Sequence, residues 1–120
     1  QVKMVVTLGR RLREKLPATK DTVEAWFFAG VASSHVDQYA EALEYYQEVA
    51  ERWPRCKWAP NAMFRVARMY GNLMKEGQIS LSEGRAKVKE AREKLIENHP
   101  DHYLAEWARR NAALSKGGKK

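Results

Sequence analysis

The apolar residues of this chain fall into six segments with helical spacing, and no sustained apolar–polar alternation bounded by hairpin turns interrupts them. The pattern predicts helices over about residues 3–16, 21–34, 38–53, 59–75, 81–98 and 102–115. Three segments close on a proline, at Pro17, Pro54 and Pro100, and each carries an aliphatic residue five positions earlier: Leu12, Val49 or Leu95. Proline cannot continue a helix and disfavours the helical conformation in the residue before it, so each marks a helix end. Asp21 or Thr22 is the candidate N-cap of the second segment. Ser80-x-x-Glu83, after the breaker Gly77, has capping-box spacing at the start of the fifth.

A longer period lies over this pattern. Beyond the second and third prolines, Trp58 matches Leu104, Ala59 matches Ala105 and Ala62 matches Ala108, each at a spacing of 46 residues. Alanines three apart line one helical face and let a neighbouring helix approach closely.

Between Trp26 and Pro54 the spacing of Trp26, Ala29-Gly30, Tyr39, Ala42, Tyr46 and Pro54 resembles one tetratricopeptide repeat. The resemblance implies an all-α fold of antiparallel helical hairpins stacked as a short right-handed solenoid. Gly30 and Ala42 would be where the two helices of the first hairpin touch, with Trp26 and Tyr46 filling the space beside them. It also implies a single domain over 1–114, with a terminal helix in 1–17, repeats over 21–54 and 58–100 and a capping helix over 102–114, while the composition of Ser115 to Lys120 reads as a flexible basic tail. The stretch Trp58 to Tyr70 is similar to the first helix of a repeat in a bacterial subtype found in outer-membrane assembly lipoproteins and Tol-Pal coordination proteins. That likeness implies the cell envelope or periplasm rather than the cytoplasm. Two residues depart from the repeat pattern: Ser33 stands where an aromatic or aliphatic residue is usual, and Val88 where alanine is. The second repeat is also longer, with its extra residues expected in the connection and in the turn near Gly71 to Ser82.

In such proteins the first helix of each hairpin lines a concave groove. The corresponding residues here are Glu24, Phe27, Val31, Ser34 and His35 in the first repeat, and Asn61, Phe64, Arg68 and Asn72 in the second. The resemblance therefore implies a non-catalytic scaffold or adaptor that receives a helix or extended peptide of a protein partner, without metal or cofactor. Phe27 and Phe64 would be its anchors and Arg68 would pair an acidic group. Two placements are open for both phenylalanines, the groove or the space between helices. Trp26, Tyr46, Trp53, Trp58 and Tyr70 are expected in the core.

Composition narrows the alternatives. At 120 residues, 44% hydrophobic and 31% charged, the chain has the makings of one folded domain. With Cys56 as its only cysteine it can form no internal disulfide. Its longest nearly unbroken apolar run, Ala25 to Ala32, falls well short of the ~20 residues of a membrane-spanning helix. Beginning at Gln1, it reads as processed, trimmed or cut from something longer.

The net charge of +7 is concentrated at the ends. Residues 1–20 carry six basic and one acidic side chain, residues 101–120 five and two, and the eighty between them eleven and twelve. Nucleic-acid binding through the basic ends is thus the alternative function. Asp37, Glu41, Glu44, Glu48 and Glu51 form an acidic stripe at helical spacing, read as a solvated face or a partner-binding one.

Two groups invite a chemical reading. His99-Pro100-Asp101-His102 could ligate a metal, although a proline turn between helices explains it as well. Cys56 has no histidine partner in sequence that would make it a nucleophile. Finally, both ends look like half-hairpins. Val5, Leu8, Leu12 and Leu16 at one end, and Leu104, Trp107 and Leu114 at the other, are apolar stripes with no partner helix in their own repeat, which predicts homo-oligomeric contact through the ends.

Overall fold

The computed structural model describes residues 20–117, with side chains described for residues 21–111. Five helices follow one another: α1 (Lys20–His35), α2 (Tyr39–Arg52), α3 (Ala59–Lys75), α4 (Leu81–Asn98) and α5 (Tyr103–Gly117). There is no strand among the described residues. Each helix packs on the next, and α5 also reaches back to α3. The expected helix over 3–16, with Val5, Leu8, Leu12 and Leu16, lies outside the described residues.

The helix ends follow from local chemistry. α2 stops with Trp53 as its C-cap, immediately before Pro54, and α4 stops with His99 before Pro100. At the start of α4 the Ser80 hydroxyl accepts a hydrogen bond from the Glu83 N–H at 3.0 Å. α3 closes in a Schellman turn, in which Gly77 at φ 73° donates to the Met74 carbonyl and Gln78 to that of Leu73. α1 ends in the same way with Asp37 at φ 60°, a left-handed position that Asp tolerates better than most residues; its carboxylate accepts a bond from the Tyr39 hydroxyl at 2.9 Å. α5 runs to Gly117, further than expected, because Ala112-Ala113-Leu114 favours helix and no breaker precedes the glycine. The extra length of the second hairpin is helical too, since α3 continues through Gly71 to Lys75 and only residues 76–80 make the turn.

Short connections make successive helices antiparallel neighbours, and small residues set how close they come. A Cβ on Gly30 would lie 2.7 Å from Cε1 of Tyr46, so α1 and α2 touch there without room for a methyl group. Gly84 does the same for α4 and α3, where an added Cβ would meet Met74 Cγ and Sδ at 2.5 Å. One core cluster joins Val23, Trp26 and Phe27 of α1 to Tyr45, Tyr46 and Val49 of α2 and Ala62, Val66 and Met69 of α3. A second joins Ala59 and Met63 of α3 to Leu95 of α4 and Leu104, Ala105 and Ala108 of α5. The matched alanines Ala59, Ala62, Ala105 and Ala108 are all fully buried, as a close helix contact demands. Trp26 and Tyr46 are in the core, while Trp53, Trp58 and Tyr70 are half-buried against it.

Candidate functional site

α3 lies between α2 and α4 and has two opposite faces with different chemistry. One carries Met63, Val66 and Tyr70, and the other Asn61, Phe64, Arg65, Arg68 and Asn72, about half a turn away.

The first face floors a cleft of about 520 Å³ between α2 and α4. Gln47 and Glu51 stand on its α2 wall, and Lys87, Glu90 and Lys94 on its α4 wall. The Gln47 side-chain amide donates to the Tyr70 hydroxyl at 2.8 Å, tying wall to floor. Glu51, from the acidic stripe, borders this cleft, which lies on the other side of α3 from Asn61, Phe64 and Arg68.

The second face gathers the four predicted groove residues of α3. Asn61, Phe64 and Asn72 are half-buried and Arg68 is exposed. Arg65, which is not among the residues the repeat pattern assigns to the groove, is central. Its Nε donates to Asn61 Oδ1 at 2.7 Å and its Nη1 to the Tyr46 hydroxyl at 3.4 Å. Its guanidinium also lies 5.5 Å from the centre of the Phe27 ring and 5.8 Å from that of Tyr46, within cation–π range. Burial raises the Tyr46 hydroxyl pKa, and the Arg65 hydrogen bond and the charges of Arg65 and Arg68 partly offset that rise.

Phe27 belongs to the core and is not a groove anchor. It is 2% exposed, stacked on Trp58 with centroids 4.8 Å apart and tilted against Tyr46 at 5.7 Å. Its neighbour Phe28 is the open one, half-exposed and edge-on to Trp58 at 5.2 Å. On the rest of α1, Glu24 and Ser34 are half-buried, Val31 packs against the core, and His35 is exposed at the helix end.

Phe64 meets Trp107 of α5 edge to face at 4.7 Å. Two arginines flank this pair: Arg68 stands 5.9 Å from the Phe64 ring centre, and Arg92 of α4 stands 5.6 Å from that of Trp107. Arg92 is half-buried, its Nε has no hydrogen-bond partner among the described residues, and desolvation lowers its pKa from the ordinary arginine value. Arg92 came to light only through folding, since it is on a different helix from Trp107. A signal was present in α3, which carries Arg65, Arg68 and Lys75 and no acidic residue.

The stripe expected to be open at the C-terminal end divides. Leu104 is 7% exposed and packs in the second core cluster, so it is not available to a neighbouring chain. Antiparallel packing of α4 on α5 covers it with Leu95, a contact a half-hairpin reading does not anticipate. Trp107 is 38% exposed, and the Leu114 side chain lies outside those described.

The histidines of the His99–His102 turn have other partners. His99 Nε2 donates to the Pro54 carbonyl at 2.9 Å, which joins the ends of α4 and α2, and His102 Nδ1 accepts from the Leu104 N–H at 3.1 Å. Among the described residues no three His, Cys, Asp or Glu side chains are grouped to hold a metal ion, and no helix is long and apolar enough to cross a membrane. Compared with known proteins, the chain matches no family model, no curated protein and no solved structure.

Proposed function

We propose that this chain is a non-catalytic scaffold of tetratricopeptide-like hairpins, stacked as a short right-handed solenoid, that holds a protein partner on the face formed by α1, α3 and α5. The observation that carries this reading is the joining of Phe64, Trp107 and Arg68 from α3 and α5 on one accessible face. Half-exposed aromatic side chains beside arginine are the combination that dominates binding energy at protein interfaces. The equivalence of Ala59 and Ala62 with Ala105 and Ala108 supports α3 and α5 as first helices of successive hairpins. Their side chains meet laterally, as do those of α1 and α3 through Phe27 and Arg65.

In this reading α5 opens a further hairpin whose outer side receives a second copy or the partner, while Trp107 faces α3 and belongs to the partner-holding face. The second class of function, nucleic-acid binding, is the one the basic ends suggest. Affinity capture with the intact chain, after nuclease treatment, separates the two. The scaffold reading expects a protein retained by the wild type and released by Trp107→Ala at unchanged helicity. Loss of all retained material on nuclease treatment, or retention indifferent to Trp107, overturns it.

A further inference from the structure

The α3 part of the face described above is basic, with Arg65 and Arg68 and no acidic residue on that helix. On α4, Arg85, Lys89 and Arg92 share the side opposite the cleft; Glu93, one turn beyond Lys89, stands exposed at the edge of that side and closes no ion pair with it. The antiparallel register that sets Met74 against Gly84 brings Arg68 roughly level with Lys89, and Arg65 with Arg92. Acidic side chains that do form ion pairs lie elsewhere: Glu48 with Arg52, Glu90 with Lys87, and Glu106 with Arg109 and Arg110. Arg68, Arg85, Lys89 and Arg92 have no acidic partner among the described residues.

We infer that the Arg68–Phe64–Trp107–Arg92 ladder, extended by Lys89, is a docking site for an acidic, carboxylate-rich segment of a protein partner. It rests on the reading that this face holds a partner and names the partner's chemistry. Three arguments support a carboxylate. Arg68, Lys89 and Arg92 close no ion pair with an acidic residue among those described, which favours the arrival of an anion. A guanidinium offers paired N–H donors in the fork that a carboxylate accepts. The rings of Phe64 and Trp107 restrict where the Arg68 and Arg92 guanidiniums sit, so less side-chain freedom is lost when an anion binds. A nucleic-acid strand is a poorer match. It gains from free aromatic faces on which bases stack, whereas here both rings have a guanidinium over them and meet each other edge to face.

The test is fluorescence anisotropy with the intact chain and a labelled hexaglutamate peptide, against hexaglutamine and a thymidine oligonucleotide of similar charge. Hexaglutamate should bind, weaken as salt rises, and bind more tightly than either control. The variant Arg68→Gln, Lys89→Gln should weaken it by about tenfold, as expected on losing charge-assisted hydrogen bonds. Lys87→Gln, Lys94→Gln removes the same charge from the opposite side of α4 and should leave binding within about twofold of wild type. Equal weakening by the two pairs, or tighter binding of the oligonucleotide, overturns the inference. So does a captured protein that depends on Trp107 but not on Arg68 and Lys89, an outcome that leaves the scaffold reading standing. Loss of Trp107-dependent capture counts against the scaffold reading itself.

Discussion

Three glycines inside helices should respond to the same substitution in three different ways. Glycine in a helix interior costs about 0.5–1 kcal/mol relative to alanine, so Gly→Ala stabilises wherever the added methyl group has room. At Gly71 in α3 nothing lies within 4 Å of the new Cβ, and Gly71→Ala should gain that full amount. At Gly30 the methyl group would meet Cε1, Cδ1 and Cζ of Tyr46 at 2.7–3.1 Å. Tyr46 is a fully buried ring, held by Phe27 and by the Arg65 hydrogen bond, so α1 must move away from α2 to relieve the overlap. Overpacking of that kind costs about 1–3 kcal/mol, which outweighs the gain in helix preference and leaves a net loss of about 1–2 kcal/mol. Gly84→Ala falls between. Its obstacle is Met74, an unbranched and half-buried side chain that can rotate aside, so the two effects should nearly cancel. Urea denaturation of the three variants should rank them Gly71→Ala, Gly84→Ala, Gly30→Ala from most to least stable. A Gly30→Ala protein as stable as wild type would refute the close α1–α2 contact.

Phe27→Ala should cost about 3–5 kcal/mol, as for any buried phenylalanine, whereas Phe64→Ala should cost less and chiefly weaken partner binding; chemical denaturation and binding measured together separate the two. Ser80→Ala removes the acceptor for the Glu83 N–H and should lower stability by about 1 kcal/mol in the same assay, with Ser80→Asp restoring it. The pKa of Tyr46 is raised in the folded chain, chiefly by burial, so the unfolded chain loses the proton first. Stability tied to this group is intact below pH 10 and falls as pH rises through the raised value. Tyr46→Phe should flatten that alkaline decline, and an unchanged slope between neutral and strongly alkaline pH would count against the assignment.

Much of the backbone plan was legible because its signals are local. Pro54, Pro100, Gly77 and the Ser80–Glu83 pair act within one turn of the helix they bound, and the described helix ends fall within two residues of the reading. Burial on α1 was not legible. From Ala25 to Ala32 every residue is apolar or glycine, so the pattern gives no contrast from which to tell that Phe27 points inward and Phe28 outward. The burial of Leu104 was not legible because its cover, Leu95, comes from α4, a helix before it, and the apolar stripe of α5 does not encode that contact. The Arg92–Trp107 contact and the cleft between α2 and α4 depend on register between helices, which no single segment encodes.

The claim that the α1, α3 and α5 face holds a protein is tested most directly by a photo-reactive benzophenone side chain placed at single positions of the intact chain in extract from its own cells. Asn72 lies on that face of α3, and Lys87 lines the cleft on the opposite side of α4. Irradiation should join a discrete protein to position 72 and none to position 87. A protein adduct at position 87 alone, or an adduct at position 72 that nuclease rather than protease removes, would contradict the account.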